Sequence, residues 1–121
     1  MEAGTGSPTT GSKTIADLIG RAADRYGEKP AIRHKVGDAW EDVSFAAVGD
    51  IASEITRGLI DLGIERGDRV ALLGNTRPEW TYSSLGITGT GAVVVPIYPS
   101  NAPDECHWVV SDYGARAIVV E

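Results

Sequence analysis

The polar segment Gly74–Trp80 contains the residues best placed to bind a ligand. It follows the apolar run Arg69–Leu73, which predicts a strand, and it enters a helix with Pro78 in the first turn. Open α/β folds bind ligands where strands end at this edge. Asn75–Arg77 could therefore hydrogen-bond a ligand. The simpler interpretation, which we favour, is that Asn75 and Thr76 cap the helix, that Arg77 is solvated and that Trp80 packs.

Glycines recur between Gly86 and Gly91, and backbone N–H groups freed by glycine can cradle a phosphate. The dinucleotide-binding fingerprint places its glycines after a strand and before a helix. Here they follow a predicted helix and precede a strand. We therefore interpret them as helix-ending and packing glycines.

The remaining reactive side chains do not form a convincing site. Asp104, His107 and Ser111 share one face of a predicted helix, whereas a hydrolase triad needs its nucleophile on a separate rigid element. A solvated polar face is the better interpretation. We predict that Cys106 is a small core residue and His34 a structural residue in a strand. No catalytic, cofactor-binding or metal-binding residue is assigned.

Composition limits the possible functions further. The chain has 121 residues, 42% of them hydrophobic and 23% charged, and its net charge is −6. It has the size of one domain or part of one, and its acidity argues against a nucleic-acid partner. One cysteine excludes an internal disulfide and is compatible with a reducing, cytoplasmic location. No apolar run has the ~20 residues that a transmembrane helix requires.

The first half of the chain predicts a leader, a helix, a hairpin and a second helix. Residues 1–13 form the flexible leader, and 14–121 form the folded portion. A helix begins at Thr14, with Asp17 in capping-box position, and ends at Gly27. The hairpin pairs residues 31–36 with 40–45. The second helix is capped by Ser44 and ends at Gly63, and its predicted inner face contains Val48, Ile51, Ala52, Ile55, Leu59 and Leu62.

The second half alternates strands and helices. Apolar runs at 69–74, 92–95 and 116–120 predict three strands buried on both faces, the second ended by Pro96. Helices are predicted from Pro78 to about Thr88 and from Pro103 to Tyr113, the latter with Cys106, Val109, Val110 and Tyr113 inside. From residue 44 the order is αβαβαβ, which predicts an α/β fold with a partial parallel sheet.

The predicted sheet leaves apolar surface without a partner. The edge at 116–120 and the faces of 70–73 and 93–95 would be uncovered, so we expect a truncated unit that self-associates as a dimer or larger homo-oligomer.

Five segments in order resemble the amino-terminal portion of the adenylate-forming superfamily, which includes acyl-CoA synthetases, luciferases and peptide-synthetase adenylation domains. They are residues 40–45, 62–73, 75–80, 91–99 and 110–120. Arg77–Trp80 and Ile97–Ser100 are most similar to the long-chain fatty-acyl branch. Thr88–Thr90 departs from the usual pattern of an apolar residue followed by Lys or Ala.

The resemblance implies a parent enzyme that joins fatty acids to CoA. The carboxylate would attack the α-phosphate of Mg-ATP to give an acyl-adenylate and pyrophosphate, and the CoA thiol would then form the thioester. The family's phosphate loop and catalytic lysine are expected downstream. The resemblance therefore implies ATP, Mg²⁺ and CoA for the parent, and a fragment that is inactive alone.

Three alternatives remain open at this point. The chain could be a self-associating, non-catalytic structural or interaction module derived from the family. It could belong to another adenylate-forming branch. It could also be a small nucleotide-binding α/β domain.

Overall fold

Helices and strands alternate along residues 9–121, which are the residues that the computed structural model describes. Residues 1–8 of the predicted leader lie outside them, and residues 9–13 have no regular secondary structure. The elements are α1 (Ile15–Tyr26), β1 (Pro30–Val36), β2 (Ala39–Ser44), α2 (Phe45–Asp61), β3 (Arg69–Leu73), α3 (Pro78–Gly89), β4 (Val93–Ile97), α4 (Pro103–Asp112) and β5 (Ala117–Val120). This order confirms the predicted α/β alternation after a helix and a hairpin.

Local chemistry explains where the first elements begin and end. The Thr14 hydroxyl accepts a hydrogen bond from the Asp17 backbone N–H, and the Asp17 carboxylate accepts one from the Thr14 N–H, both at 3.1 Å. This capping box starts α1. The hairpin turns at Gly37 with a φ of 61°, which a two-residue turn beginning with glycine requires.

Helix α2 begins as predicted, but its buried face ends earlier than the sequence pattern predicts. The Ser44 hydroxyl accepts from the Ala47 N–H at 3.1 Å, and Gly63 follows the helix with a φ of 101°. Val48, Ala52 and Leu59 are buried. Leu62 is 81% exposed, so its predicted burial is wrong. It lies one residue beyond Asp61, where the helix ends and its periodicity no longer applies.

The three-stranded sheet is parallel, in the order β4-β3-β5. In β3, Val70, Ala71 and Leu72 are at most 3% exposed, as predicted for a strand buried on both faces. The expectation that the faces of residues 70–73 are uncovered is therefore wrong. Val93 of β4 and Ile118 and Val120 of β5 are about half exposed, and the strand register places all three on the sheet face opposite Val70 and Leu72. The prediction that these two strands are buried on both faces is therefore wrong.

Strand β4 also runs further than predicted. It continues through Pro96, which lies opposite Leu72, to Ile97. A proline cannot donate a ladder hydrogen bond, so sheets accommodate it in an edge strand whose N side faces outward. The prediction that Pro96 ends the strand was wrong for this reason.

The main core lies between one sheet face and the helices α2 and α3. Its buried members are Leu59, Ile64, Val70, Leu72, Ile87 and Ala92. On the opposite face Ala71, Val95 and Ile97 are buried. Every residue of α4 is at least partly exposed, so the predicted apolar inner face of this helix is not part of the core.

Two glycines allow α2 and α3 to approach closely. A Cβ added at Gly86 would lie 2.6 Å from the Cβ of Ile55, and one added at Gly89 would overlap the hydroxyl of Thr56. That hydroxyl donates to the Gly86 carbonyl at 2.7 Å across the two helices. The interpretation as packing glycines is confirmed for both residues.

Candidate functional site

The turn between β3 and α3 differs from the favoured prediction. Arg77, rather than Asn75 or Thr76, holds the N-cap position, with extended backbone angles, and Pro78 begins the helix. Trp80 packs against the main core, as predicted. Two polar residues of the turn, Asn75 and Arg77, contact a residue that follows β5.

Glu121 makes these contacts. One carboxylate oxygen, Oε2, accepts from the Asn75 backbone N–H at 2.8 Å and from Asn75 Nδ2 at 3.2 Å. The other, Oε1, accepts from Arg77 Nη1 at 2.8 Å. The Glu121 N–H donates to the Leu73 carbonyl at 3.1 Å, so backbone and side chain both connect the ends of β3 and β5.

Arg77 is shared by two carboxylates. Its Nε donates to Glu79 Oε1 at 3.2 Å, in addition to the contact with Glu121. Glu79 and Glu121 together raise the pKa of Arg77. The Asn75 backbone N–H and the Arg77 guanidinium lower the pKa of Glu121. At neutral pH the three side chains therefore carry a net charge of about −1.

A cleft of about 250 Å³ adjoins these charged groups. Its walls are mostly apolar, and Asn75, Arg77, Glu79, Ser83 and Glu121 form its polar lining. The apolar residues along it are Leu72, Leu73, Trp80, Val119 and Val120. The site therefore combines a hydrocarbon-lined space with the paired charges of Arg77, Glu79 and Glu121.

A wider groove of about 620 Å³ separates strand β1 from the start of α3. Arg33, His34 and Lys35 line one side, and residues 76–79 line the other. Arg33 is paired with Asp42, Nε to Oδ1, at 2.7 Å. The Glu79 backbone N–H and Arg77 lower the pKa of Glu79. His34 and Glu79 thus line the same groove, His34 from the strand and Glu79 from the start of the helix.

The other sequence candidates remain separate from this site. Asp104, His107 and Ser111 are exposed on α4, which confirms the solvated polar face. Cys106 is half-buried, with Sγ 3.9 Å from the Asn101 carbonyl oxygen, so its prediction as a core residue was wrong. Among residues 9–121, no three His, Cys, Asp or Glu side chains are grouped as a metal site would need. In the same range, no helix has the length and apolarity to cross a membrane.

Sequence reasoning missed Glu121 as a member of the site. It directly follows the last apolar run, residues 116–120, and the sequence pattern gave no role to it. The strand order β4-β3-β5 places it beside Gly74, because Val120 pairs with Leu73. A carboxylate immediately after a strand of a parallel sheet is the signal that could have identified it.

Comparisons with known proteins identify the family. The sequence profile described as "AMP-binding enzyme" matches residues 19–121. The chain is 35% identical to the rat (Rattus norvegicus) long-chain-fatty-acid–CoA ligase ACSBG1 over 89% of its length, and 32% identical to the human (Homo sapiens) protein. It spans 15% of the length of each of these relatives.

Solved structures agree on the fold. The N-terminal domain of FACL13 from Mycobacterium tuberculosis has a TM-score of 0.82 and 28% identity, covering 90% of this chain and 27% of that one. The N-terminal subdomain of Klebsiella oxytoca NpsA has a TM-score of 0.80 and 21% identity, covering 90% and 28%. The described α/β layers are thus those of the N-terminal subdomain of adenylate-forming enzymes, and the chain belongs to the AMP-binding enzyme family.

Proposed function

We propose that this chain is the amino-terminal part of a long-chain fatty-acid–CoA ligase. The observation that carries the proposal is the similarity to long-chain-fatty-acid–CoA ligases over 89% of the chain. Fatty acid, ATP and CoA are the substrates proposed for the whole protein. The role proposed for these residues is structural: they supply a sheet layer and a wall near the bound substrates.

The chain's own side chains do not fit a Mg-ATP site. Arg77, the cation at the carboxyl edge of the sheet, is held by Glu79 and Glu121. Among residues 9–121 no three His, Cys, Asp or Glu side chains are grouped, and the paired carboxylates Glu79 and Glu121 are held by Arg77. We therefore assign no reaction step to these residues, and propose that nucleotide and metal are bound by other parts of the whole protein.

The exchange of pyrophosphate into ATP tests this proposal. The chain of 121 residues should show no fatty-acid-dependent exchange above a protein-free control, because the groups that position and stabilise the reacting phosphate are proposed to lie elsewhere. The whole protein should show exchange with long-chain fatty acids and should form acyl-CoA when CoA is added.

In the whole protein Arg77→Ala should lower kcat/KM by about tenfold or less, because it disturbs a wall rather than a reacting group.

Arg57→Ala, on the exposed face of α2, is the matched control and should leave kcat/KM unchanged. Exchange by the chain of 121 residues alone would contradict the proposal. A whole protein that ignores fatty acids and activates amino acids or aryl acids would assign it to another adenylate-forming branch.

We also propose that the isolated chain self-associates through β5 and α4. Ile118 and Val120 are 45% and 56% exposed, and Trp108 and Tyr113 on α4 are exposed as well. Light scattering at micromolar concentrations should show a dimer or larger species, and Val120→Lys should return it to a monomer because a charge opposes burial. Val36→Lys, on the exposed hairpin, is the control and should leave the dimer intact. A monomeric wild-type chain would refute this proposal.

A further inference from the structure

Three donors of the turn between β3 and α3 contact a single carboxylate. The Asn75 N–H, the Asn75 side-chain amide and one Arg77 nitrogen all donate to Glu121, at 2.8 to 3.2 Å. An anion that used these three donors would compete with Glu121. A bound phosphate would have to displace a carboxylate that the fold itself holds in place.

The charges around Arg77 also disfavour a bound anion. Arg77 contacts two carboxylates, Glu79 at 3.2 Å and Glu121 at 2.8 Å. Its positive charge is therefore more than balanced, and a second anion would meet net repulsion. The Arg77 and Glu121 side chains remain 48% and 38% exposed, so their pairing contributes little to overall stability and acts chiefly on the geometry of the turn.

The cleft beside the turn is mostly apolar, and Asn75, Arg77, Glu79, Ser83 and Glu121 form its polar end. Leu72, Leu73 and Trp80 line it from β3 and α3, and Val119 and Val120 line it from β5. Its volume of about 250 Å³ is large enough for a short hydrocarbon group. We propose that Glu121 is a positioning residue that fixes the turn between β3 and α3 and makes the adjoining cleft a binding site for an uncharged apolar group rather than a phosphate.

This role goes beyond the ligase proposed above and does not depend on it. Glu121 is part of the candidate site because it contacts the turn between β3 and α3, and it is assigned no step in a reaction. The charged or titratable groups around it are Arg77 and Glu79 at the start of α3, His34 of β1 in the groove beside Glu79, and, in the chain of 121 residues, the α-carboxyl group of residue 121 itself. Because the fold holds the pKa of Glu121 below its ordinary 4.5, the contact is complete at neutral pH and is lost only as pH falls through that lowered value.

Backbone NMR of the chain amidated at its carboxyl end, which removes the α-carboxyl group of residue 121, can measure the contact. In the wild-type chain the Asn75 amide shift should titrate in acid with Glu121, and Glu121→Gln should remove this titration while the chain remains folded. Glu79→Gln is the matched control, since Glu79 contacts Arg77 but not Asn75, and should preserve the titration. Glu121→Ala should speed amide exchange at Asn75 by about five- to tenfold, as expected for loss of a charge-assisted hydrogen bond. A titration that survives in Glu121→Gln, or exchange unchanged in Glu121→Ala, would overturn the proposal.

Two probes test the character of the cleft. Hexanol should shift the indole signal of Trp80 but not that of Trp40, which is 65% exposed and acts as an internal control. Inorganic phosphate at millimolar concentration should leave the Asn75 amide signal of the wild-type chain in place. A phosphate-induced shift at Asn75, or equal hexanol shifts at both indoles, would refute the assigned ligand class. Neither probe requires ligase activity, so failure here is distinct from failure of the proposed function.

Discussion

Replacing Gly86 by alanine should lower the free energy of unfolding by about 3 kcal/mol, as expected when a filled interior is overpacked. The added Cβ would lie 2.6 Å from the Ile55 Cβ and 3.3 Å from the Ala52 carbonyl oxygen. Helices α2 and α3 would have to separate, which would also strain the 2.7 Å hydrogen bond from Thr56 to the Gly86 carbonyl. Urea unfolding monitored by circular dichroism measures this loss.

Gly58→Ala provides the control for this experiment. Gly58 lies in α2, is exposed and has no neighbour within 4 Å of an added Cβ, so alanine there should stabilise the chain by up to about 1 kcal/mol. The two substitutions make the same chemical change in helices and differ only in surroundings. Equal stability of Gly86→Ala and wild type would show that the two helices lie further apart than described.

Leu72→Ala should cost about 3 kcal/mol of unfolding free energy, because it removes buried methyl groups from the central strand. Leu72 is 3% exposed and belongs to the main core with Val70 and Ile87. Neighbouring strands on both sides restrict relaxation into the cavity. The midpoint of urea unfolding should fall accordingly.

Leu62→Ala makes the same substitution where the side chain is 81% exposed. It should change stability by less than about 0.5 kcal/mol, as is usual for surface positions. The comparison also tests a sequence inference, since the apolar periodicity of α2 predicts a buried Leu62. If Leu62→Ala lowered the free energy of unfolding as much as Leu72→Ala, Leu62 would be buried, as the periodicity predicts, and the described end of the helix would be wrong.

Local signals predicted most element boundaries. Thr14 with Asp17, Ser44 and Gly63 act through short-range hydrogen bonds and φ preferences, which sequence displays directly. The burial of β3 was also predictable, because an apolar run without alternation is typical of a strand covered on both faces.

The strand order and the contacts between residues far apart in the sequence were harder to predict. Apolar runs alike in sequence became one central strand and two edge strands. Pro96 is a local signal for an edge strand in β4, but nothing local to residues 117–120 distinguishes β5 from β3. The turn after β3 was recognised as a candidate site, but the role of Glu121 depends on a contact across 46 positions of sequence. Strand order decides both outcomes, and it arises from tertiary packing.

Pro96 restricts the edge at which a further strand can pair with the sheet. On the outer side of β4 the proline offers no N–H, so a strand arriving there would find an interrupted ladder. Strand β5 contains no proline and can accept a neighbour along its length. Only one edge of the sheet is therefore suited to pairing with a further strand. Any strand that extends the sheet, whether from the same polypeptide or from another molecule, should add beside Ala117–Val120.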